Sequence, residues 1–151
     1  MFDIIHKISI KAPVSKVQAA ISTVAGVAGW WTKDTSSQSK PASAMQVVFR
    51  SKAGDEIGKA KFELLKSASE EVVWHFTEGP EEWIGTDVTF NLSQQGETTI
   101  LLFGHRNWRE AVEFTAHCSM KWATFLLSLR QLVETGTGQP APDDLKIDNW
   151  N

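Results

Sequence analysis

The sequence predicts an α+β domain in which a curved antiparallel sheet wraps around one long C-terminal helix, with two short helices after the first strand. Three observations predict it. Between Met45 and His105 apolar residues recur at every second position, and turn sequences cut the run into short strands. After Asn107 the period becomes helical and persists to Val133. Near the N-terminus, Pro13 separates an alternating segment from a short amphipathic one.

The elements follow in order. Ile4, His6, Ile8 and Ile10 alternate with Ile5, Lys7 and Ser9, the pattern of a strand that stops at Ala12-Pro13. Proline lacks an N–H and has a fixed φ, so it suits a helix start; Val14, Val17, Ala20 and Ile21 mark the apolar side of that helix. Val24 to Trp31 predicts a second short helical piece, interrupted by Gly26 and Gly29. Thr32 to Ala44, rich in Ser, Thr, Lys and Pro, predicts the longest loop. Met45, Val47 and Phe49 share one strand face, and Ala60, Phe62 and Leu64 share the next, across the turn Lys52-Ala53-Gly54-Asp55. Val72, Trp74 and Phe76 follow, then the turn Glu78-Gly79-Pro80-Glu81. Ile84, Thr86, Val88, Phe90 and Leu92 alternate with Gly85, Asp87, Thr89 and Asn91 before a last strand from Thr99 to His105. Such a meander has one solvated and one buried face.

On the final helix Ala111, Phe114, Thr115, Cys118, Trp122, Phe125, Leu126, Leu129, Leu132 and Val133 fall on one side, with Thr115 the polar exception. Burying each large side chain of that stripe is worth roughly 1.5–3 kcal/mol, so this helix covers the apolar face of the sheet. Gly136 supplies a stop, and Gly138 and Pro140 prevent resumption. The expected organisation is one domain over residues 1–140 and an irregular tail over 141–151, with Trp150 as its anchor.

With 151 residues the chain is long enough for a substantial core, and its 42% hydrophobic and 22% charged content is that of a soluble globular domain. A net charge of −3 and scattered Lys and Arg argue against nucleic acid as a partner. Nothing at the N-terminus reads as a signal peptide, and no apolar run is long enough to span a bilayer, so the expectation is a cytoplasmic protein without membrane insertion. One cysteine, Cys118, excludes an internal disulfide or a multi-cysteine zinc site. Aromatic usage stands out: seven Trp and eight Phe but no Tyr, so many large rings need a buried place or a cavity to wall.

Several segments carry a resemblance. They are Ile8-Ser9-Ile10-Lys11-Ala12-Pro13 with Val17, the pair Trp30-Trp31, and Trp83-Ile84-Gly85-Thr86-Asp87-Val88. Gly104-His105 through Trp108, Cys118 to Trp122, and the ending Leu132 to Pro140 complete the set. In this order and spacing the sequence resembles the activator-of-heat-shock-protein-90-ATPase-like family of the START-like (SRPBCC) helix-grip superfamily, from about Ile4 to Pro140. The resemblance implies the helix-grip fold and a hydrophobic cavity. It also raises a stress-related or co-chaperone-like role, while the superfamily's cyclases and lipid carriers imply other uses of the same cavity.

The residues themselves select no chemistry. There is no Gly-rich phosphate loop, no G-x-S-x-G elbow and no H-x-x-x-H pair, so no catalytic set, metal or cofactor is expected. The leading expectation is a module that holds a hydrophobic or aromatic, lipid- or polyketide-like molecule between sheet and helix. Its expected walls are Trp31, Phe49, Phe62, Trp74, Phe76, Phe90, Phe114, Cys118, Trp122 and Phe125. His6, on the face of Ile4 and Ile8, is either a polar ligand contact or a satisfied core histidine. The competing expectation is that these rings fill the interior completely. His75 and His117 are expected to face water, and His105 to link the last strand to the helix. Cys118, on the buried stripe, is expected to be an inert thiol, and Glu81 and Glu82 a solvated turn. Of Trp30 and Trp31, one is expected in the core and the other at the pocket edge or on the surface, and the following loop is expected as either a lid or a plain surface loop. Two other classes stay open: a cyclase or hydrolase using the same pocket, and an interaction module presenting Met120 and Leu127. The oligomeric state expected is a monomer or weak homodimer.

Overall fold

A computed structural model describes residues 1–151. Phe2–Ile10 forms strand β1, followed by helices α1 (Val14–Ser22) and α2 (Val24–Trp30). Strands β2 (Asp34–Ser36), β3 (Ala44–Arg50), β4 (Glu56–Ser67), β5 (Glu71–Glu78), β6 (Asp87–Gln95) and β7 (Thr98–Trp108) come next, and helix α3 spans Glu113–Thr135. The strands make one antiparallel sheet in the order β1-β7-β6-β5-β4-β3-β2. Successive strands from β2 to β7 are neighbours, and β1 returns to pair with β7. The α+β helix-grip architecture is therefore the one the sequence predicts.

Local chemistry sets the boundaries. Thr23 Oγ1 accepts from Gly26 N at 3.1 Å and starts α2. The lone polar residue on the α3 stripe has a backbone duty: Thr115 Oγ1 accepts from Val112 N at 3.0 Å and caps the helix. Gly136 ends α3 at φ 91°, donating its N–H to Leu132 O.

The core lies between the concave sheet face and the helices. Its rings stack in series: Phe62 on Trp74 with centroids 4.2 Å apart, Trp74 on Trp31 at 5.3 Å, and Trp31 on Trp122 at 5.1 Å. Buried indoles find acceptors at helix ends, Trp30 Nε1 donating to Ala20 O and Trp74 Nε1 to Ile21 O.

Three local expectations are corrected. The loop after Trp31 contains β2, whose Asp34, Thr35 and Ser36 pair with Val48, Val47 and Gln46. Its polar residues carry no alternation, and the Arg50–Asp34 ion pair at 2.9 Å helps hold it. Ile84 to Thr86 lies outside β6; Gly85 at φ 84° turns the chain there, and Ile84 is exposed. Trp30 and Trp31 are both buried; Trp30 packs within the core, and Trp31 also reaches the space between sheet and α3. The segment after Pro140 has anchors besides Trp150: Ala141 and Asp144 are buried. Ala141 bridges Thr32 in parallel, Lys33 N donates to Ala141 O and Ala141 N to Trp31 O. No helix is long and apolar enough to cross a membrane.

Candidate functional site

The sheet and α3 diverge at one end of the core and leave a cleft of about 530 Å³. Trp31 forms part of its inner wall, Phe49 projects from β3, and Phe114, Cys118, Trp122 and Phe125 come from the apolar stripe of α3. Trp83, in the β5–β6 turn, completes the aromatic wall. Ile57, Pro80, Glu82 and Trp150 border the opening, and His117, Lys121 and Asp144 form a polar side.

Six of the eleven residues expected from sequence meet in this cleft: Trp31, Phe49, Phe114, Cys118, Trp122 and Phe125. Phe62, Trp74, Phe76 and Phe90 are fully buried and pack against one another instead. His6 lies apart from the cleft: its Nε2 is 3.0 Å from Ser119 O and 3.3 Å from Ser119 Oγ, a link between β1 and α3. Sequence reasoning left Trp83, Lys121, His117 and the tail out of the site. A tryptophan in an otherwise polar turn was the available signal for Trp83. Lys121 gave none, since a lysine next to an apolar stripe usually faces water.

His117 is a further correction. Its side chain is 12% exposed, because Asp148 Oδ2 lies 2.7 Å from its Nδ1 and Trp150 packs edge-on at 5.5 Å between centroids. Lys121 and Asp144 form an ion pair with both side chains mostly buried, and Lys146 adds a second contact to Asp144 at 3.0 Å. Burial works most strongly against ionising Asp144, but the lysine hydrogen bonds outweigh it and hold the carboxyl below its usual value. The His117 hydrogen bond likewise holds the Asp148 carboxyl low. These contacts lay the tail along one side of the cleft.

Behind the aromatic wall lies a closed hydrogen-bond chain. Trp122 Nε1 donates to His105 Nδ1 at 3.1 Å, His105 Nε2 lies 2.8 Å from Thr86 Oγ1, and Thr86 Oγ1 donates to Trp83 O at 2.6 Å. Burial lowers the His105 pKa to about 3, so the ring is neutral. Burial also pushes the Cys118 thiol up to about 12, which makes it an inert packing group. Trp83 Nε1 is buried without a partner, and the Cys118 sulfur on the same wall is a weak acceptor.

A curved seven-stranded sheet gripping a C-terminal helix beside an apolar cleft defines a START-like, SRPBCC-type protein. No family model and no curated protein matches the sequence. Among solved structures, Aha1 from Colwellia psychrerythraea, solved in solution as a dimer, is 35% identical, with a TM-score of 0.73. The match covers 91% of this chain and 100% of that one. The chain belongs to the activator-of-heat-shock-protein-90-ATPase-like family. Two further structures share the fold at lower identity. DynU16, from the dynemicin biosynthetic locus, is 20% identical with a TM-score of 0.65, covering 90% of this chain and 48% of its own. CalU16 from Micromonospora echinospora is 17% identical with a TM-score of 0.66, covering 93% and 77%.

Proposed function

We propose that the chain is a binding module for a hydrophobic or aromatic small molecule, lodged in the cleft between sheet and α3. The observation that carries this reading is the aromatic lining of a space of about 530 Å³, within the range of about 300–1,000 Å³ typical of ligand sites. An apolar body fits against Trp31, Trp83 and Trp122. The test is titration with an environment-sensitive apolar dye. The expected result is saturable binding at one site, quenched Trp fluorescence and a raised melting temperature, since a ligand that binds only the folded form stabilises it. Absence of any saturable site, together with no small molecule retained in native mass spectrometry, would remove the reading.

The dimeric relative supports a second proposal, that this chain also self-associates into a homodimer. A co-chaperone-like role is the alternative use of the surface. It rests on family membership and on Met120 and Leu127, 57% and 49% exposed on the outer side of α3.

A further inference from the structure

We infer that a second copy of this chain docks on the free edge of β1, by antiparallel strand pairing centred on Ile5. The inference rests on the homodimer reading and specifies the surface that would carry it. Strand β1 ends the sheet and pairs with β7 alone. Outside that ladder no hydrogen bond reaches the main chain from Phe2 to Ser9. Nine residues of strand thus present a row of unpaired N–H and C=O groups, which is a template for another strand.

The side chains make this edge complementary to itself. Asp3, Ile5 and Lys7 lie on the solvated face, and Ile5 is 57% exposed. Leu102 faces out beside them, opposite Lys7 in the ladder, and is 46% exposed. A two-fold axis at Ile5 sets Ile5 against its own copy and each Asp3 against the partner copy's Lys7. An isologous interface requires that kind of self-matching pattern. Opposite charges and apolar pairs directly across strands stabilise pairing, and like charges oppose it. Displacing the axis by one residue in either direction loses both carboxylate–ammonium pairs. Asp3 already accepts from Asn107 N at 2.9 Å and lies 3.4 Å from Arg106 Nη1, and a carboxylate has lone pairs left for one more donor.

The test combines analytical ultracentrifugation with site-specific cross-linking of the full chain. Ile5→Glu places two carboxylates on the axis and should raise the dimer dissociation constant by about 100-fold, while circular dichroism stays native. Asp3→Lys and Lys7→Asp should each weaken self-association, because each sets like charges opposite one another. Mixed together, these two variants should form a heterodimer, since both cross-strand pairs are then opposite in charge. Ile5→Cys should cross-link to its own copy under mild oxidation, whereas Ser9→Cys should not; the buried Cys118 is a silent background. A dimer that survives Ile5→Glu and fails to cross-link through Ile5→Cys overturns this surface and leaves the homodimer reading standing. A chain that remains monomeric at the highest soluble concentration overturns both, and leaves the edge to an extended segment of some other protein.

Discussion

The indole of Trp122 and the imidazole of His105 are joined at 3.1 Å, and this contact fixes where the histidine proton sits. An indole N–H can only donate, so His105 Nδ1 is the acceptor and the proton is on Nε2, facing Thr86. Protonating Nδ1 would leave two donors facing each other in a dry core. Burial and this geometry act together to keep the ring neutral.

Acid stability is the first consequence. Below pH 6.5 an unfolded chain gains a proton on His105 that the folded chain refuses until about pH 3. The unfolded state binds more protons across that window, so stability falls as pH drops through it. The shift corresponds to about 5 kcal/mol over the whole window. His105→Gln keeps one donor and one acceptor without the titration. In urea melts the variant is expected to be less stable than the native protein at neutral pH, with a gap that narrows on acidification. A constant gap would mean that His105 does not govern the acid limb.

Trp122→Ala is expected to be among the most damaging single substitutions. It removes a ring that touches Trp31, Phe103 and His105, and it orphans Nδ1 of the histidine. Loss of a buried Trp typically costs about 3–5 kcal/mol. Chemical denaturation measures it; a loss under about 1 kcal/mol would mean that the cleft already hydrates this ring.

Much of this fold was legible in the chain, for a physical reason. Period two and period 3.6 report which side chains face the core, and Val88, Phe90 and Trp122 obey them without exception. The cleft was less legible. Phe62 and Phe49 follow the same alternation on adjacent strands, yet one is sealed and the other lines open space. The difference depends on where helix and sheet part, a property of curvature rather than of periodicity. Strand β2 escaped because short polar edge strands carry no pattern. Asp144 escaped because its burial depends on Lys121, a partner 23 residues away that reads as solvated.

The Lys121–Asp144 pair should behave as a unit. Lys121→Met leaves the Asp144 carboxylate largely buried with Lys146 as its remaining cation, and is expected to cost about 2–4 kcal/mol. Replacing both with apolar residues of similar size should cost far less. A double-mutant cycle by thermal melting measures the coupling. Proteolysis after Pro140 should accelerate in the single variant, because the same contact holds the tail.

Gly26→Ala is expected to be disruptive despite its size. The added methyl would lie 2.6 Å from the Cα and carbonyl oxygen of Ala20, where α1 and α2 cross. Backbone on both sides must move, and Trp30, which hydrogen-bonds the same carbonyl, moves with it. A cost of about 2 kcal/mol or more is expected by denaturant titration. An unchanged midpoint would show that the two helices separate easily.

Cys118→Phe should separate packing from binding. The thiol lies on the cleft wall, so a phenyl ring can extend into open volume rather than into a filled core. The fold should survive with a loss below about 1.5 kcal/mol while dye binding disappears. Unchanged dye affinity in a folded variant would place the dye elsewhere.

The two margins of the sheet are unequal. At β2 the margin is three residues long; at β1 it is nine residues long and open. A body with one adhesive side has a valence of one. The β1 pairing inferred above would consume that valence, so growth would stop at two copies rather than propagate into a filament. Ala141 pairs with Thr32, just outside β2, so what discourages a second strand at this margin is its brevity and its polar residues Asp34, Thr35 and Ser36, the usual protection of an edge strand.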